Sequence, residues 1–384
     1  MKEKSLVAIV PCEDYENENV YDAVKKGLEL LGGLSELVQV NDEVLVKTNM
    51  LSSANPEKAI TTHPAVFEAV VKCLKDEGAK DLYYGDSSGN PMSKMEDVAK
   101  TCGIYGVAQE YGMKDGGFDD HFKCDYPQGH RAKSFELCKA AKIEQKIEIC
   151  KMKTHALENI TGAVKNQYGF VFGAHKAKGH ATYPNSRQFA EMLVDLNKVV
   201  DVNLHIMDGV IAMEGNGPAS GEPTPMKVLL MSKDPVALDS VFARLVYLDP
   251  EFVPTCVAGE KQGLGNMNFD NIEIVCPSGI ISSVEAASSF GNAKFQVNRK
   301  KVKFWNLKGL TNLYDTIVGQ HFEKPVLDRN LCVGCGLCEQ VCPVDGKAVM
   351  VGADGKARYN YKKCIRCYCC QEMCPEKAIK KSGR

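Results

Sequence analysis

Eight cysteines near the C-terminus constrain this chain more than any other residues. Cys332, Cys335, Cys338 and Cys342 run into Pro343, and Cys364, Cys367, Cys370 and Cys374 run into Pro375. Each cysteine of the second set stands 32 positions after its counterpart in the first. Two intervening residues let a tight loop aim successive thiolates at different corners of one cubane, whose soft irons require sulfur. The doubled run therefore predicts two 4Fe–4S clusters and one-electron chemistry. Structural zinc uses pairs of C-x2-C rather than triplets closed by Cys-Pro. A disulfide framework belongs to secreted chains, whereas Met1–Val10 carries charges and a short strand-like run without a signal-type apolar segment.

The run resembles that of bacterial two-cluster ferredoxins, in which the fourth cysteine reaches the other cluster. The resemblance implies one cluster on Cys332, Cys335, Cys338 and Cys374, and a second on Cys364, Cys367, Cys370 and Cys342. Pro343 and Pro375 fix the chain direction after each crossing ligand. Gly334 and Gly336 relieve crowding where the backbone approaches the sulfides. Cys369 falls between ligands and is expected to be a non-ligand thiol packed near the second cluster.

With 384 residues, 44% apolar and 25% charged, the chain is a globular protein with room for two domains. No apolar run approaches the roughly 18 residues of a membrane span, so no membrane insertion is expected. Seventeen cysteines without a secretory signal point to a reducing cytoplasm. The net charge is −2, yet residues 326–384 hold eleven Lys/Arg against six Asp/Glu. Negative clusters account for that surplus. Without aromatic interleaving or a binding motif, no nucleic-acid partner is expected.

The remainder alternates strand and helix signals. Strands are expected at Leu6–Val10, Glu43–Lys47, Asp81–Tyr84, Lys133–Cys138, Lys146–Cys150, Leu204–Asp208, Met226–Met231 and Ile272–Cys276. Helices are expected at Val20–Leu31, Pro64–Glu77, Glu96–Tyr111, Arg187–Val200 and Pro235–Leu248. Phe295–Trp305 reads as β. The fold class is α/β with a mostly parallel layered sheet, followed by an α+β ferredoxin-like two-cluster unit. The division is 1–306 for the α/β domain, 307–325 for a connecting segment and 326–384 for the cluster domain.

A second constellation lies between Cys150 and His180, where five lysines and three histidines meet one acid. It starts at a strand end, where open α/β sheets place ligands. Lys151, Lys153 and His155 alternate and so share a face of an extended chain. Thr161-Gly162 precedes a helix that carries Lys165 and Asn166, and its free N–H groups suit an anion. Such a donor field fits phosphate, carboxylate or a developing enolate. A solvated basic surface is the bland alternative, but such faces normally intersperse acids. Gly85-Asp-Ser-Ser-Gly89 and the Gly-rich stretch from Asp208 to Pro218, with Glu214, read equally as ligand loops or plain turns. ATP and NAD(P) motifs are missing. The cysteines at 12, 73, 102, 124, 138, 150, 256 and 276 are expected to be buried thiols.

Lys47-Thr-Asn49, Thr62-His-Pro64, Gly85-Asp-Ser87, Lys151-Met-Lys-Thr-His155, Thr161-Gly-Ala-Val-Lys-Asn166, Asp234-Pro-Val-Ala-Leu-Asp239 and Ala258–Gly265 resemble the domain of unknown function family 362. Members of that family often end in a two-cluster ferredoxin unit. A remoter likeness, of fold only, is to lactate racemase, whose lysine- and histidine-rich cleft holds a nickel pincer nucleotide. The first expectation is a reductase that passes electrons through two 4Fe–4S clusters to a small anionic or carbonyl substrate. Lys151, Lys153, His155, Lys165 and Asn166 would bind and polarise it, with His155 or a lysine as proton donor, and a redox protein as electron partner. The alternatives are a non-catalytic electron carrier or activation factor, and an isomerase with a nucleotide cofactor.

Overall fold

Alternating strand and helix segments fold onto both faces of one sheet, because strands buried on both sides need helices above and below. The computed structural model describes residues 4–90, 92–299 and 323–382. In chain order the strands of the first lobe are β1 Ser5–Pro11, β2 Val44–Lys47, β3 Leu82–Gly85, β4 Lys114–Asp115, β5 His121–Asp125, β6 Ser134–Cys138, β7 Gln145–His155, β8 Asn159–Thr161, β9 Leu204–Glu214, β10 Glu222–Ser232, β11 Ile272–Cys276 and β12 Gly279–Ile281. Ten of them form one sheet in the order β12-β11-β1-β10-β9-β7-β2-β3-β4, with β8 paired to β7.

Strands β11, β1, β9, β7, β2, β3 and β4 run in one direction, and β10 opposes its neighbours β1 and β9. This is the mostly parallel layered sheet that the alternation implies. Its strands are buried on both faces: Val44–Lys47 is buried throughout, and β7 from Lys146 to His155 likewise. Helix Pro64–Asp76 shows how a covering element is specified. Pro64 stands at its first turn, His63 Nδ1 accepts from the Ala65 N–H, and Val66, Phe67, Val70, Val71 and Leu74 face the core.

Four expectations change. The stretch 96–111 is two helices, Met95–Thr101 and Ile104–Glu110, because Gly103 takes a left-handed φ of 81° between them. Ser134–Cys138 leaves the main sheet and pairs with β5. The strand starting at Leu204 continues to Glu214, so Asp208 lies within β9 rather than on a loop. Its extension is paired by β10, which bulges between Pro225 and Val228. Phe295–Arg299 contains no strand, and the rest of that stretch, like most of 307–325, lies outside the described residues.

In the second lobe β13 Pro325–Leu327 pairs with β16 Ile379–Lys381, and β14 Val349–Val351 pairs with β15 Ala357–Tyr359. The two cysteine runs repeat their backbone as well as their spacing. Gly334 and Gly336 have φ of 72° and 79°, and Arg366 and Tyr368, 32 positions on, have 59° and 62°. Glycine meets that left-handed demand freely, whereas Arg366 and Tyr368 hold it at a steric cost.

Asp234 ties helix Pro235–Leu245 to the sheet edge. Its Oδ1 accepts from Val236 N (2.8 Å) and Ala237 N (3.0 Å), and its Oδ2 from Asn266 N (2.8 Å). Asp234→Ala removes a cap and strands partly buried donors, so it should cost about 2–3 kcal/mol. Anaerobic denaturant unfolding should show this loss, and Asp234→Asn should recover most of it.

Candidate functional site

The parallel strands β2, β3 and β7 end side by side, and their carboxyl ends open into a cavity of about 640 Å³. One wall carries Asn49, Asp86, Lys153, Lys165, Asn166 and Lys176. The opposite wall belongs to the second lobe, with Val341, Cys342, Lys347, Cys369, Glu372 and Met373.

Burial decides the state of the charged groups. Lys47 Nζ lies 3.1 Å from Asp86 Oδ1 and donates to Thr48 O (2.8 Å). Asp86 Oδ2 also accepts from Met50 N (2.7 Å). Gly169 packs directly on this pair, where a Cβ would strike the Asp86 carboxylate. Lys151 donates to Asp208 Oδ2 (2.8 Å) and to the Tyr15 hydroxyl (2.7 Å), and that hydroxyl donates to Asp208 Oδ1 (2.9 Å). Burial lowers the Lys151 pKa, against the pull of Asp208.

Lys153 is 2% exposed and has no carboxylate partner among the described residues. It donates to Asn49 Oδ1 and to Ile60 O, both at 2.6 Å. Burial, then the Lys165 and Lys151 charges, push its pKa down to about 7. An ammonium has three donors, so one remains for a ligand in the cavity. Lys165 is half-buried with no hydrogen-bond partner among the described residues. Asn166 Oδ1 accepts from Asn49 Nδ2 (2.8 Å). Lys176 holds Ser87 O and Ser88 O, and burial brings its pKa to about 8. His180 Nδ1 finds no partner among the described residues, and burial keeps its imidazole neutral with a pKa of about 4.

His155 is placed differently from the sequence expectation. Its Nδ1 accepts from Leu157 N (3.1 Å) and Glu158 N (3.0 Å), which leaves Nε2–H to donate to Glu372 Oε1 at 2.7 Å. Burial and Lys165 lower its pKa to about 3, so it is neutral. It docks the second lobe and does not line the cavity, so it cannot serve as a protonated donor there. Burial alone would raise the Glu372 carboxyl, but the Lys165 charge and the hydrogen bond from His155 hold it below the usual range. The N–H groups after Gly162 are likewise taken. Ala163 N (2.7 Å) and Val164 N (3.2 Å) donate to Asp239, whose pKa burial raises to about 8. The acceptor at this turn is an internal carboxyl group, and it positions Lys165 and Asn166.

Sequence reasoning missed Asp239, Asn49, Tyr15 and Glu372 as builders of this site. A lone acid in the apolar run Pro235–Leu245 was the signal for Asp239. Nothing local marks Glu372, which acts across 217 positions.

The second lobe docks through further bonds. Gln371 Nε2 donates to Asn216 O (2.8 Å), Lys377 Nζ to Gly221 O (2.9 Å), and Lys381 Nζ to Ala156 O (2.9 Å). Within it a void is lined by Cys332, Cys335, Cys338 and Cys374, three sulfurs from one run and one from the other. Burial, then Cys335, Cys374 and Cys332, raise the Cys338 thiol to about 11. Cys364 is raised by burial, and Cys367 and Cys342 are its cysteine neighbours. All seventeen thiols are unpaired. Sulfurs spaced round a void suit a cubane. Among the described residues no three Cys, His, Asp or Glu converge on one ion. Cys369 is buried, its thiol is hydrogen-bonded to Cys367, and it also lines the large cavity.

An α/β lobe with a docked, cysteine-ringed lobe defines an iron–sulfur protein. The family model of the 4Fe-4S dicluster domain matches residues 324–375. The model of the domain of unknown function 362 matches residues 44–244, and the chain belongs to that family. The thylakoid-associated protein sll1697 of Synechocystis is 33% identical over 261 residues, 67% of this chain and 79% of that one. A ferredoxin of Pyrobaculum islandicum is 36% identical over 61 residues, 16% of this chain and 55% of its own. The lactate racemase apoprotein of Thermoanaerobacterium thermosaccharolyticum aligns over 59% of this chain and 54% of its own, at 11% identity and a TM-score of 0.38. That likeness is too slight to carry an argument. No helix among the described residues is long and apolar enough to cross a membrane.

Glu372→Ala should leave the buried Nε2–H of His155 without an acceptor, at a cost of about 1–3 kcal/mol. Hydrogen exchange should rise at Gly215–Gly217 and Cys369–Glu372, while Glu372→Gln, which keeps an acceptor, should retain the dock.

Proposed function

We propose that the chain is an iron–sulfur oxidoreductase. It would carry two 4Fe–4S clusters and deliver electrons to a small anionic or carbonyl-bearing substrate held in the cavity. One observation carries this reading: the same cavity is walled by Lys153 and Lys165 on one side and by Cys342 and Cys369 on the other. An isolated electron carrier needs no such chamber beside its ligands.

The donor set supports Cys332, Cys335, Cys338 and Cys374 for one cluster, and Cys364, Cys367, Cys370 and Cys342 for the other. Bound there, the clusters supply single electrons at low potential. The chain's own residues do the rest. Lys165 and the free donor of Lys153 bind the anion, and Asn166, fixed by Asn49, orients it. Lys176 and Tyr168 also line the cavity. Lys153, with a pKa of about 7, holds a proton it can release to the substrate near neutral pH. Lys151, locked to Asp208 and Tyr15, contributes positive charge rather than direct binding. A reducing cytoplasm suits the unpaired thiols.

Iron and acid-labile sulfide assays on anaerobically prepared protein should give about eight of each per chain. Cys374→Ser should disturb the cluster on Cys332, Cys335 and Cys338, and Cys342→Ser the other. Damage confined to the mutated residue's own run would sink the crossed assignment.

An anaerobic metabolite screen that follows reoxidation of the reduced protein identifies the substrate. Lys153→Ala should then lower kcat by about 10²-fold or more with cluster content intact. Lys165→Ala should raise KM roughly tenfold, the worth of one charge-assisted hydrogen bond. Because the acting form of Lys153 is protonated, the wild-type rate should fall as pH rises through about 7. Turnover by Lys153→Ala with unchanged kcat and pH profile would remove it from catalysis. A screen in which nothing reoxidises the reduced protein would favour the carrier.

A further inference from the structure

One side chain breaks the likeness between the two thiol sets. Strands β13 and β15 stand 32 positions apart, as the cysteine runs do, and each leads into one run. β13 ends on Leu327, which lines the void ringed by Cys332, Cys335, Cys338 and Cys374. β15 ends on Tyr359, and its hydroxyl donates to Cys370 Sγ at 3.2 Å. The backbone donors at the crossing ligands are matched by contrast. Ala378 N–H donates to Cys374 Sγ and Ala348 N–H to Cys342 Sγ, both at 3.3 Å.

Neighbouring groups hold the hydroxyl in place. The Tyr359 ring stacks on Tyr361, with centroids 5.4 Å apart and planes inclined by 7°. Tyr361 is anchored in turn, because its hydroxyl donates to Pro325 O at 2.9 Å. The counterparts in the first run are Leu327 and Arg329, so neither ring is repeated there. Cys370 belongs with Cys342 in the proposed ligand set, and Cys342 lines the cavity. The hydroxyl therefore addresses the set on the cavity side. A reduced cluster carries one more negative charge than an oxidised one, spread over its sulfurs. A donor on a ligand sulfur favours the reduced form and raises the reduction potential.

We infer that Tyr359 is a potential-setting residue: its hydrogen bond to Cys370 draws the electron to the cluster beside the cavity. This rests on the two-cluster reading above. In the step that it biases, the cluster on Cys332, Cys335, Cys338 and Cys374 loses one electron and the other cluster gains it. No bond forms or breaks, and Tyr359 keeps its proton. Charged groups stand near both sets, Lys356 and Glu376 at the first, Lys347 and Glu372 at the second. They help to set where both potentials lie, whereas Tyr359 adds an increment to one.

The test compares the full chain, prepared anaerobically with its clusters, with Tyr359→Phe, which deletes only the hydroxyl. Iron and sulfide are counted first. Both midpoints are then measured by EPR-monitored potentiometric titration, and the hyperfine-shifted β-protons of the cysteines assign each midpoint to its cluster. Tyr359→Phe should make the cavity-side cluster about tenfold harder to reduce, or about 59 mV for one electron, and leave the other midpoint in place. Proton ENDOR should show one exchangeable coupling in the parent that the variant lacks. Tyr361→Phe removes a hydroxyl that bonds a carbonyl rather than a sulfur, and it should keep both midpoints. Fluorotyrosine at position 359 is a stronger donor of nearly the same shape. It should shift the same midpoint upward, and it carries the test if the Phe variant loses a cluster. Equal shifts of both clusters, or the same shift in Tyr361→Phe, overturn the inference. A parent with a single cluster overturns the two-cluster reading and this inference with it. Two clusters whose midpoints ignore both changes at Tyr359 overturn the inference alone.

Discussion

Burial of cationic side chains at the end of β7 is the constraint on which the rest of the architecture depends. Lys151, Lys153 and His155 follow one another on a strand that is covered on both faces. An uncompensated buried charge costs several kcal/mol, so each needs a partner or must lose its proton. Each solution comes from a different part of the chain. Lys151 takes Asp208 from β9 and Tyr15 from the segment after β1. Lys153 takes only neutral acceptors, Asn49 and Ile60, and its ammonium is destabilised accordingly. His155 stays neutral and takes Glu372 from the second lobe. Satisfying these three residues brings β9, the β2 exit loop and the iron–sulfur lobe around one cavity.

The parts that announce themselves in the sequence are those whose physics is local. The cysteine spacing, the alternation of elements, and the Pro64 and Asp234-Pro235 helix starts depend on a few neighbouring residues, and the structure carries all of them. The lysine-rich segment was also legible as a donor field, since acids are almost missing from it. What local pattern does not carry is who answers those donors. The acids sit 57 and 217 positions away, at Asp208 and Glu372, so the same sequence reads equally as open field or as closed network. For that reason His155 looks like a substrate ligand in the sequence, yet its protein partner leaves it buried and neutral. The N–H groups after Gly162 look free for the same reason, and Asp239 occupies them. The long β9–β10 hairpin was missed because Gly209 reads as a loop former, although pairing with β10 overrides that preference.

The second lobe shows a different economy of sequence. Four residues, Cys369–Glu372, serve three purposes. Cys370 belongs to the proposed thiolate set, Gln371 and Glu372 bond the first lobe, and Cys369 and Glu372 form part of the cavity wall. Linkage of these purposes explains why Arg366 and Tyr368 tolerate left-handed backbone where the first run has glycine. Tyr368 is buried and caps this helix, so its packing offsets a conformation that the solvent-facing first run obtains from Gly334 and Gly336 without strain. The two runs share a template but meet different environments, and within the first run Cys335 meets water while Cys342 lines the cavity.

That asymmetry also bears on how charge is balanced during the proposed chemistry. The cavity wall is rich in lysine, and the Lys165 charge adds to burial in lowering the pKa of Lys153. An anionic substrate that enters relieves this repulsion and raises the proton affinity of Lys153. Negative charge arriving on the Cys342 side acts in the same direction. Both events therefore load Lys153 with its proton just before the substrate needs one, and consumption of that proton restores the neutral amine that the empty cavity favours. A lysine held by two neutral acceptors suits this cycle better than one locked to a carboxylate. The neighbouring Lys151, paired with Asp208, keeps a fixed charge, while Lys153 is left free to vary.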